Sequence, residues 1–335
     1  GQRRTLSSSH TNTFSGLRWY YNDFLRERQQ NNINLYSKFT WRMTPRHKIN
    51  MTFTKYVGLD HGFGRFRVGD EVRDAASGST SYKWSFRDQF DQAPSYTEET
   101  SLQTIAWRWT LSERSYSNLN VSHFRNTLEE SVQGKRPWVA GEEYQEWRSV
   151  ATDTFFVADG NGDFPRYQNL FTDRWTATAD FTQRWAEHHE LSAGFEASYY
   201  TLQMVDIRNP REGPGGLGSQ RDIYKINPND GSFYMQNVFS YEGFEGHVGL
   251  RGDYLFLGKT ADEAAAQQEL IAQDYLDNTN ELFGHRYKLF WSPRLGINHP
   301  ITTKTSMNFT FGHFTQWPRL IYYYAKISSR SSEAF

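Results

Sequence analysis

The chain has 335 residues, a formal net charge of −1 from 37 Lys and Arg against 38 Asp and Glu, and no Cys. This balance excludes a strongly basic nucleic-acid binder, and the lack of Cys excludes a disulfide scaffold or a Cys-ligated metal. No apolar run reaches the roughly 20 residues of a transmembrane helix, and no signal-peptide pattern is present. The mean hydropathy is −0.78, yet 17% of the residues are aromatic. A membrane β-barrel combines these properties, because its interior is polar and its apolar outer band is edged by aromatic residues.

Alternation of apolar and polar residues predicts about eleven strands along the chain. Side chains alternate across a strand, so each such run has one apolar and one polar face. In chain order the runs cover residues 11–21, 33–43, 49–54, 104–111, 119–121, 175–185, 191–199, 232–241, 247–256, 287–297 and 304–314. The register is ambiguous only in the run 232–241, where Phe233 and Phe239 compete with Tyr234 and Val238 for one face. We predict an antiparallel up-and-down sheet.

The run of Glu187, His188, His189 and Glu190 resembles a metal site at first sight. Helical zinc proteases place two His residues four apart on one helix face, whereas adjacent residues in a turn point apart. The flanking segments 175–185 and 191–199 both alternate with period two. The tetrad is therefore predicted to be the short turn of a β-hairpin.

The connections alternate between tight and long. Within hairpins they are tight, as in "TPRHK", "LSERS", "AEHHE", "YEGFEG" and "NHPITTK"; between hairpins they are long, covering 58–101, 129–172, 205–231 and 258–286. Outer-membrane barrels have this pattern of short periplasmic turns and long extracellular loops. Trp and Tyr favour the membrane interfaces. The predicted turn-side girdle is Trp41, Trp185 and Tyr241, and the loop-side girdle is Trp19, Tyr20, Trp175, Tyr199, Phe256 and Tyr287.

An odd, open set of strands leaves unpaired edges, which lipid does not tolerate. We therefore expect residues 1–335 to be one part of a single, larger barrel domain. The first residue is Gly1 rather than Met, and the ending "SSRSSEAF" lacks the alternation of a closing strand. Both features indicate an excised segment.

Three segments carry a family resemblance: "HHELSAGFEASYY", "GHVGLRGDYL" and "SPRLGINHPITTKTSMNFTFGHFTQWPRL". They resemble the barrel of TonB-dependent outer-membrane receptors, most closely the Oar-like branch. The resemblance implies a barrel of twenty-two strands around an N-terminal plug, in the outer membrane of a Gram-negative-type bacterium. It also implies TonB-energised uptake of a scarce ligand, such as a siderophore, an oligosaccharide or a peptide. The sequence contains neither plug nor TonB box, so the partnership with TonB is implied by the resemblance alone.

Two groups of residues are candidates for binding. In "DGNGDF", the residues Asp159, Asn161 and Asp163 have the alternating spacing of the first ligands of a calcium loop, although the later Gly and Glu of that loop are missing. The same residues also favour a simple turn. The predicted luminal charges, which we expect to pair across the wall or to face a plug, are Asp180, Arg184, Glu196, Arg251, Asp253 and Arg294.

No arrangement of residues specific to catalysis can be located, so we do not expect an enzyme. Residues 260–278 are helix-forming in composition, and the loop aromatics Trp84, Phe86, Trp138 and Trp147 are expected to pack or to bind a ligand. The alternatives to a TonB-dependent receptor are a passive porin or adhesin barrel, and a secreted soluble β-protein that binds carbohydrate. A barrel fragment would aggregate without detergent, because its lipid face would be exposed.

Overall fold

The computed structural model of the chain describes residues 30–60, 70–73, 80–83, 94–145, 156–157, 163–211, 218, 220–259, 262–263, 278–302, 304–318, 320 and 324. Its strands are β1 Gln30–Thr44, β2 His47–Asp60, β3 Asp70–Arg73, β4 Thr80–Lys83, β5 Pro94–Ser112, β6 Ser115–Val132, β7 Phe156–Val157, β8 Arg166–Ala186, β9 His189–Arg208, β10 Gln220–Ile226, β11 Asn229–Tyr241, β12 Phe244–Phe256, β13 Asn280–Leu282, β14 His285–Thr302 and β15 Thr305–Gly312. Within these ranges no helix is long and apolar enough to cross a membrane.

Twelve strands form one antiparallel sheet, the wall, in the order β1-β2-β5-β6-β8-β9-β11-β12-β14, with β13 and β15 beside β14 and β10 beside β9. Strands β3, β4 and β7 form a separate small sheet. In the described part of the chain the wall stays open, with β1 at one edge. The predicted all-β, up-and-down architecture is confirmed. Ten of the predicted strands are present, and the run 11–21 lies outside the described residues.

The two faces of the wall differ as the alternation predicts. On the face that we call outward, large apolar side chains are exposed, including Trp175 at 51% and Phe195 at 50%. On the opposite, luminal face, Ser198 and Asp253 are only 5% and 8% exposed. Of the predicted loop-side girdle, Trp19 and Tyr20 lie outside the described residues, and the other four share one level of the sheet. Trp175, Tyr199, Phe256 and Tyr287 lie in one row of paired positions that runs through Asn229.

The tight turns are stabilised by hydroxyl side chains. Thr44, Ser112 and Thr302 each accept a hydrogen bond from the backbone N–H two residues later, at 3.1–3.2 Å. Such local bonds favour turns over strand continuation. A tight turn joins the two strands as predicted, but only Glu187 and His188 form it, because β8 ends at Ala186 and His189 and Glu190 already belong to β9. His188 contacts Tyr241, whereas His189 contacts Trp185 and Phe239, so the two rings pack against different aromatic residues.

Two features of the sheet differ from the prediction. The predicted long loop 205–231 is mostly strand, because β9 continues to Arg208 and β10 pairs with it in the same register as β11. Pro228 interrupts this long strand, since proline has no N–H for the ladder. The ambiguous register of β11 is also resolved. Phe233 pairs with Phe195 on the outward face, and Tyr234 points into the lumen beside Asp180.

Candidate functional site on the luminal face

Tyr234 crosses a neighbouring strand to reach Asp180. Its hydroxyl donates a hydrogen bond to Oδ1 of Asp180 at 2.7 Å, although β9 lies between β11 and β8. Gly194 on β9 makes this possible. A Cβ added there would lie 2.6 Å from Cε1 of Tyr234 and 2.5 Å from Oδ1 of Asp180. Because Gly194 has no side chain, the Tyr234 ring can pass over β9 and link β11 to β8.

A polar cavity of about 240 Å³ lies next to this contact, between β11, β12 and β14. Tyr234, Gln236, Arg251 and Arg294 line it, and Gly249 forms part of its floor. Nε of Arg251 donates to Oδ1 of Asp253 at 2.9 Å, which fixes the guanidinium over the luminal surface. Nε of Arg294 is buried without a hydrogen-bond partner among the described residues. A fixed cation beside a second, under-satisfied cation makes this cavity suited to an anionic group.

The remaining predicted luminal charges are less closely associated. Arg184 pairs with Glu190 at 3.0 Å at the turn end of the wall, where its side chain is 70% exposed. Glu196 lies between Thr178 and Ser232 in the sheet. The structure thus brings Asp180, Arg251 and Asp253 into hydrogen-bonded contacts and leaves Arg184 at the rim.

A second ionic cluster lies at the loop-side end of the wall, opposite the tight turns, and was not predicted. Arg166 binds Asp206 through two hydrogen bonds of 2.9 Å, and its Nη1 lies 3.6 Å from Oε2 of Glu130. Glu130 is 1% exposed and also accepts a hydrogen bond from the Tyr96 hydroxyl at 2.8 Å. A bidentate pair that shares its cation with a buried carboxylate fixes three strands at the mouth of the lumen.

An apolar cluster covers the luminal face near the same end. Its buried members are Tyr224, Ile226, Leu255, Leu257 and Tyr324, with Leu202, Met204, Trp317 and Leu320 packed against them. The Tyr324 hydroxyl donates to the carbonyl of Leu257, and Trp317 meets Phe290 edge-on at 5.2 Å. Trp317, Leu320 and Tyr324, which follow β15, therefore lie against the luminal face of the wall.

On the outward face the same end of the wall is covered by the connection between β6 and β8. We call Val132, Tyr144 and the residues between them the cover. Val132 and Tyr144 form one core with Tyr167, Val205, Ile207 and Ile223, which lie on β8, β9 and β10. The Tyr144 hydroxyl accepts a hydrogen bond from the Val132 N–H at 3.1 Å, and burial raises the pKa of Tyr144. Trp138 packs edge-on against Tyr167 at 4.9 Å, as expected for a packing residue.

Glu129 lies beside this core. It is six residues beyond His123 on β6, and His123 pairs with Trp175 of the predicted loop-side girdle. Six residues of strand are about 20 Å, so Glu129 lies well outside the apolar band. Burial raises the pKa of its carboxyl to about 7, against smaller lowering effects from the Ser131 hydroxyl and from Arg136.

The calcium hypothesis for the loop before β8 stays a prediction. Asp159 and Asn161 lie outside the described residues. Asp163 is 1% exposed, and its Oδ2 accepts from Nζ of Lys135 at 2.7 Å and from the N–H of Gln145 at 2.8 Å. Its Oδ1 has no partner among the described residues. Within those residues no group of three potential metal-ligating side chains is present.

The other loop predictions fall largely outside the described residues. This applies to Trp84, Phe86 and Trp147, and to most of the predicted helix 260–278. Of that segment and its border, Lys259, Asp262 and Glu263 are helical, and Lys259 pairs with Glu263 at 3.3 Å.

No known family's sequence profile matches the chain, and no curated protein matches it. Among solved structures it is similar to the FrpB iron transporter from Neisseria meningitidis. The F3-3 variant has 13% sequence identity and a TM-score of 0.52, over 87% of this chain and 38% of that one. The F5-1 variant in its apoprotein form has 11% identity and a TM-score of 0.50, over 87% and 37%. The chain thus spans less than two fifths of the length of these transporters.

At this level of identity the likeness shows the fold. The chain has the fold of a partial outer-membrane barrel wall, as the sequence predicts. The expected resemblance to the barrel of TonB-dependent receptors is confirmed for the fold, which is an outer-membrane fold.

Proposed function

We propose that the chain is part of an outer-membrane receptor that takes up a scarce ligand, such as a siderophore, an oligosaccharide or a peptide, with energy supplied through TonB. The observation that supports this proposal best is the polar, charge-lined luminal face of the wall. Fixed charges line this face, and Trp317, Leu320 and Tyr324, which follow β15, pack against it near its loop-side end. A charged surface of this kind suits selective binding and transfer of one solute.

The chemistry of the luminal face favours an anionic ligand group. Arg251 is held by Asp253, and Arg294 lies on the adjacent strand across the same cavity. Guanidinium groups recognise carboxylates and phosphates through paired hydrogen bonds. The protein's contribution is binding and gating, not bond-making, and the fold likeness to an iron transporter agrees with this role.

The test compares cells that produce the receptor with cells that lack it. Accumulation of three labelled probes is measured: an iron-loaded siderophore, a maltodextrin and a hexapeptide, each with and without a protonophore. We expect receptor-dependent accumulation of one probe class, and we expect the protonophore to abolish it. Accumulation that survives the protonophore would support a passive porin instead, and no receptor-dependent accumulation of any probe would contradict transport.

A further inference from the structure

A groove of about 190 Å³ lies on the outward face of the wall, outside the loop-side girdle. Six neighbouring strands, β2, β5, β6, β8, β9 and β10, contribute to it. Its principal lining residues are Lys55, Ser101, Arg125, Phe171, Gln203 and Lys225. The proposed uptake of a ligand through the lumen does not use this groove.

The register places the groove on the lipid-facing side of the wall. Lys55 pairs with Ser101, and Ser101 pairs with Arg125, in the same register by which the outward residues Met51 and Ile105 pair. Arg125 is two residues beyond His123, which pairs with Trp175, and Phe171 is four residues beyond Trp175 itself. These offsets are about 7 and 13 Å along the strands, or about 5 and 10 Å along the membrane normal for strands tilted by about 40°. The headgroup layer is about 5–8 Å deep, so Arg125 lies within it and Phe171 lies at its outer surface.

The groove is basic, and its cations are held in place. Lys55 contacts Glu99, the one acidic lining residue, at 2.8 Å, and the two side chains are only 10% and 13% exposed. The Arg125 guanidinium lies 5.0 Å from the centre of the Phe171 ring, and its Nε donates a hydrogen bond to Oδ2 of Asp173 at 3.1 Å. Lys225 is exposed at the far end. Lys55, Arg125 and Lys225 therefore exceed Glu99 and Asp173 by one positive charge. This excess, directly outside an apolar band, is complementary to an anionic headgroup whose acyl chains lie along that band.

Hydroxyl and amide groups complete the set of donors. Ser101 is 9% exposed beside Lys55, and Gln203 lies between Phe171 and Lys225 in the sheet. A guanidinium, an ammonium and a hydroxyl are the groups that bind the oxygens of a phosphate ester. We propose that this groove binds the net anionic, phosphate-bearing headgroup of a lipid in the outer leaflet, with Arg125 and Lys225 as its principal contacts.

The test uses the full receptor, isolated in nonionic detergent and mixed with equal amounts of phosphatidylglycerol and phosphatidylcholine of identical acyl chains. Native mass spectrometry counts the lipids retained. The wild type is expected to retain phosphatidylglycerol preferentially. The R125Q/K225Q double variant, which leaves the Lys55–Glu99 pair intact, is expected to lose this preference by about tenfold or more, because each basic residue near a lipid surface contributes about fivefold.

The matched control is R114Q/K304Q, which removes two exposed cations from the turns at the opposite rim and should retain phosphatidylglycerol like the wild type. Heat-modifiable gel migration verifies folding. If the double variant fails to fold, K225Q alone, at an exposed position, is expected to weaken retention about fivefold. Equal retention of the two lipids by the wild type, or unchanged retention by folded R125Q/K225Q, would overturn the proposal. Displacement of phosphatidylglycerol by an equal concentration of glycerol 1-phosphate would also overturn it, since the groove would then recognise a soluble anion.

Discussion

The outward face of β8 and β9 is exposed over one half of its length and buried over the other. Trp175 and Phe195 are half exposed, whereas Tyr167 and Ile207, on the same face of the same strands, are 3% and 0% exposed. The alternation of side chains continues without a register shift between these two regions. The difference lies in what covers the face. The cover packs on the upper half, and the lower half is exposed, as expected of a face that contacts lipid.

This difference follows from the length of the strands. β8 has 21 residues, about twice the 9–11 that a tilted strand needs to cross the hydrocarbon layer. The excess extends into water, where exposed apolar side chains are unfavourable. The sequence keeps apolar residues there because the cover supplies a protein core in place of lipid. The same alternation of apolar and polar residues is therefore covered by protein in the upper half of the face and is expected to face lipid in the lower half.

The largest expected effect comes from emptying the core under the cover. Ile207→Ala should destabilise the cover by about 2–5 kcal/mol, because it removes buried methyl groups and leaves a cavity. Ile207→Val should have a smaller effect of about 1 kcal/mol. The chain has no Cys, so a fluorophore on Ala140→Cys reports opening of the cover during a guanidinium titration. An unchanged midpoint for Ile207→Ala would mean that this core does not hold the cover.

A charge in the apolar band tests the lower half of the face. Ala177→Arg should destabilise the wall by about 2–4 kcal/mol, since it places a cation against hydrocarbon. Thr178→Arg, one residue away on the luminal face, is the matched control and should have little effect. Urea unfolding of the full-length protein in lipid vesicles, followed by gel migration, measures both. Equal effects of the two substitutions would remove the distinction between the faces.

Gly194→Ala tests the luminal contact between Tyr234 and Asp180. The new Cβ would lie 2.6 Å from the Tyr234 ring and 2.8 Å from the Ala179 carbonyl oxygen, which is backbone. We expect destabilisation of about 1–3 kcal/mol in the same unfolding assay, as for other overpacked sites. Tyr234→Phe, which keeps the ring and removes the hydroxyl, should cost about 1 kcal/mol. If Gly194→Ala lowers the free energy of unfolding no more than Tyr234→Phe does, the proposed role of Gly194 is wrong.

The smallest effect is the pH dependence of the cover. Glu129 has a pKa of about 7 in the folded protein, above its ordinary value of 4.5, so the folded state binds this proton more tightly. Its contribution to stability is complete below about pH 4.5 and is lost as the pH rises through 7. The Ala140→Cys fluorophore should therefore report a lower guanidinium midpoint at pH 8 than at pH 5. Glu129→Gln should remove most of this difference, and a variant that retains it in full would assign the titration to another group.

The sequence pattern predicts the strands and the two faces of the wall, but not the side-chain contacts between strands. Period-two alternation alone identified both faces, the hairpin turn at Glu187 and His188, and the girdle residues Trp175 and Tyr199. These features depend on local pattern and on the two-sided environment of a strand. The continuation of β9 toward Arg208 was missed, although "MVDIR" and "RDIYKI" alternate, because the polar connection between them resembles a loop.

The contacts of the candidate site depend on neighbours distant in sequence. Tyr234 reaches Asp180 only because Gly194, on the strand between them, has no side chain. The cluster of Arg166, Asp206 and Glu130 likewise joins three strands whose relative register no single segment specifies. Sequence pattern could place such residues on the luminal face, but it could not pair them.

The most direct test of whether lipid contacts the lower half of the outward face, but not its upper half, uses a photoreactive lipid. The full-length protein is reconstituted in vesicles that contain a phospholipid with a diazirine on its acyl chain, and carbene adducts are mapped residue by residue by mass spectrometry. We predict adducts at Trp175, Ala177 and Phe195, and none at the luminal Thr176 and Thr178 or at the covered Tyr167 and Ile207. Adducts at Tyr167 and Ile207 as abundant as those at Trp175, or equal labelling of Ala177 and Thr178, would contradict the account.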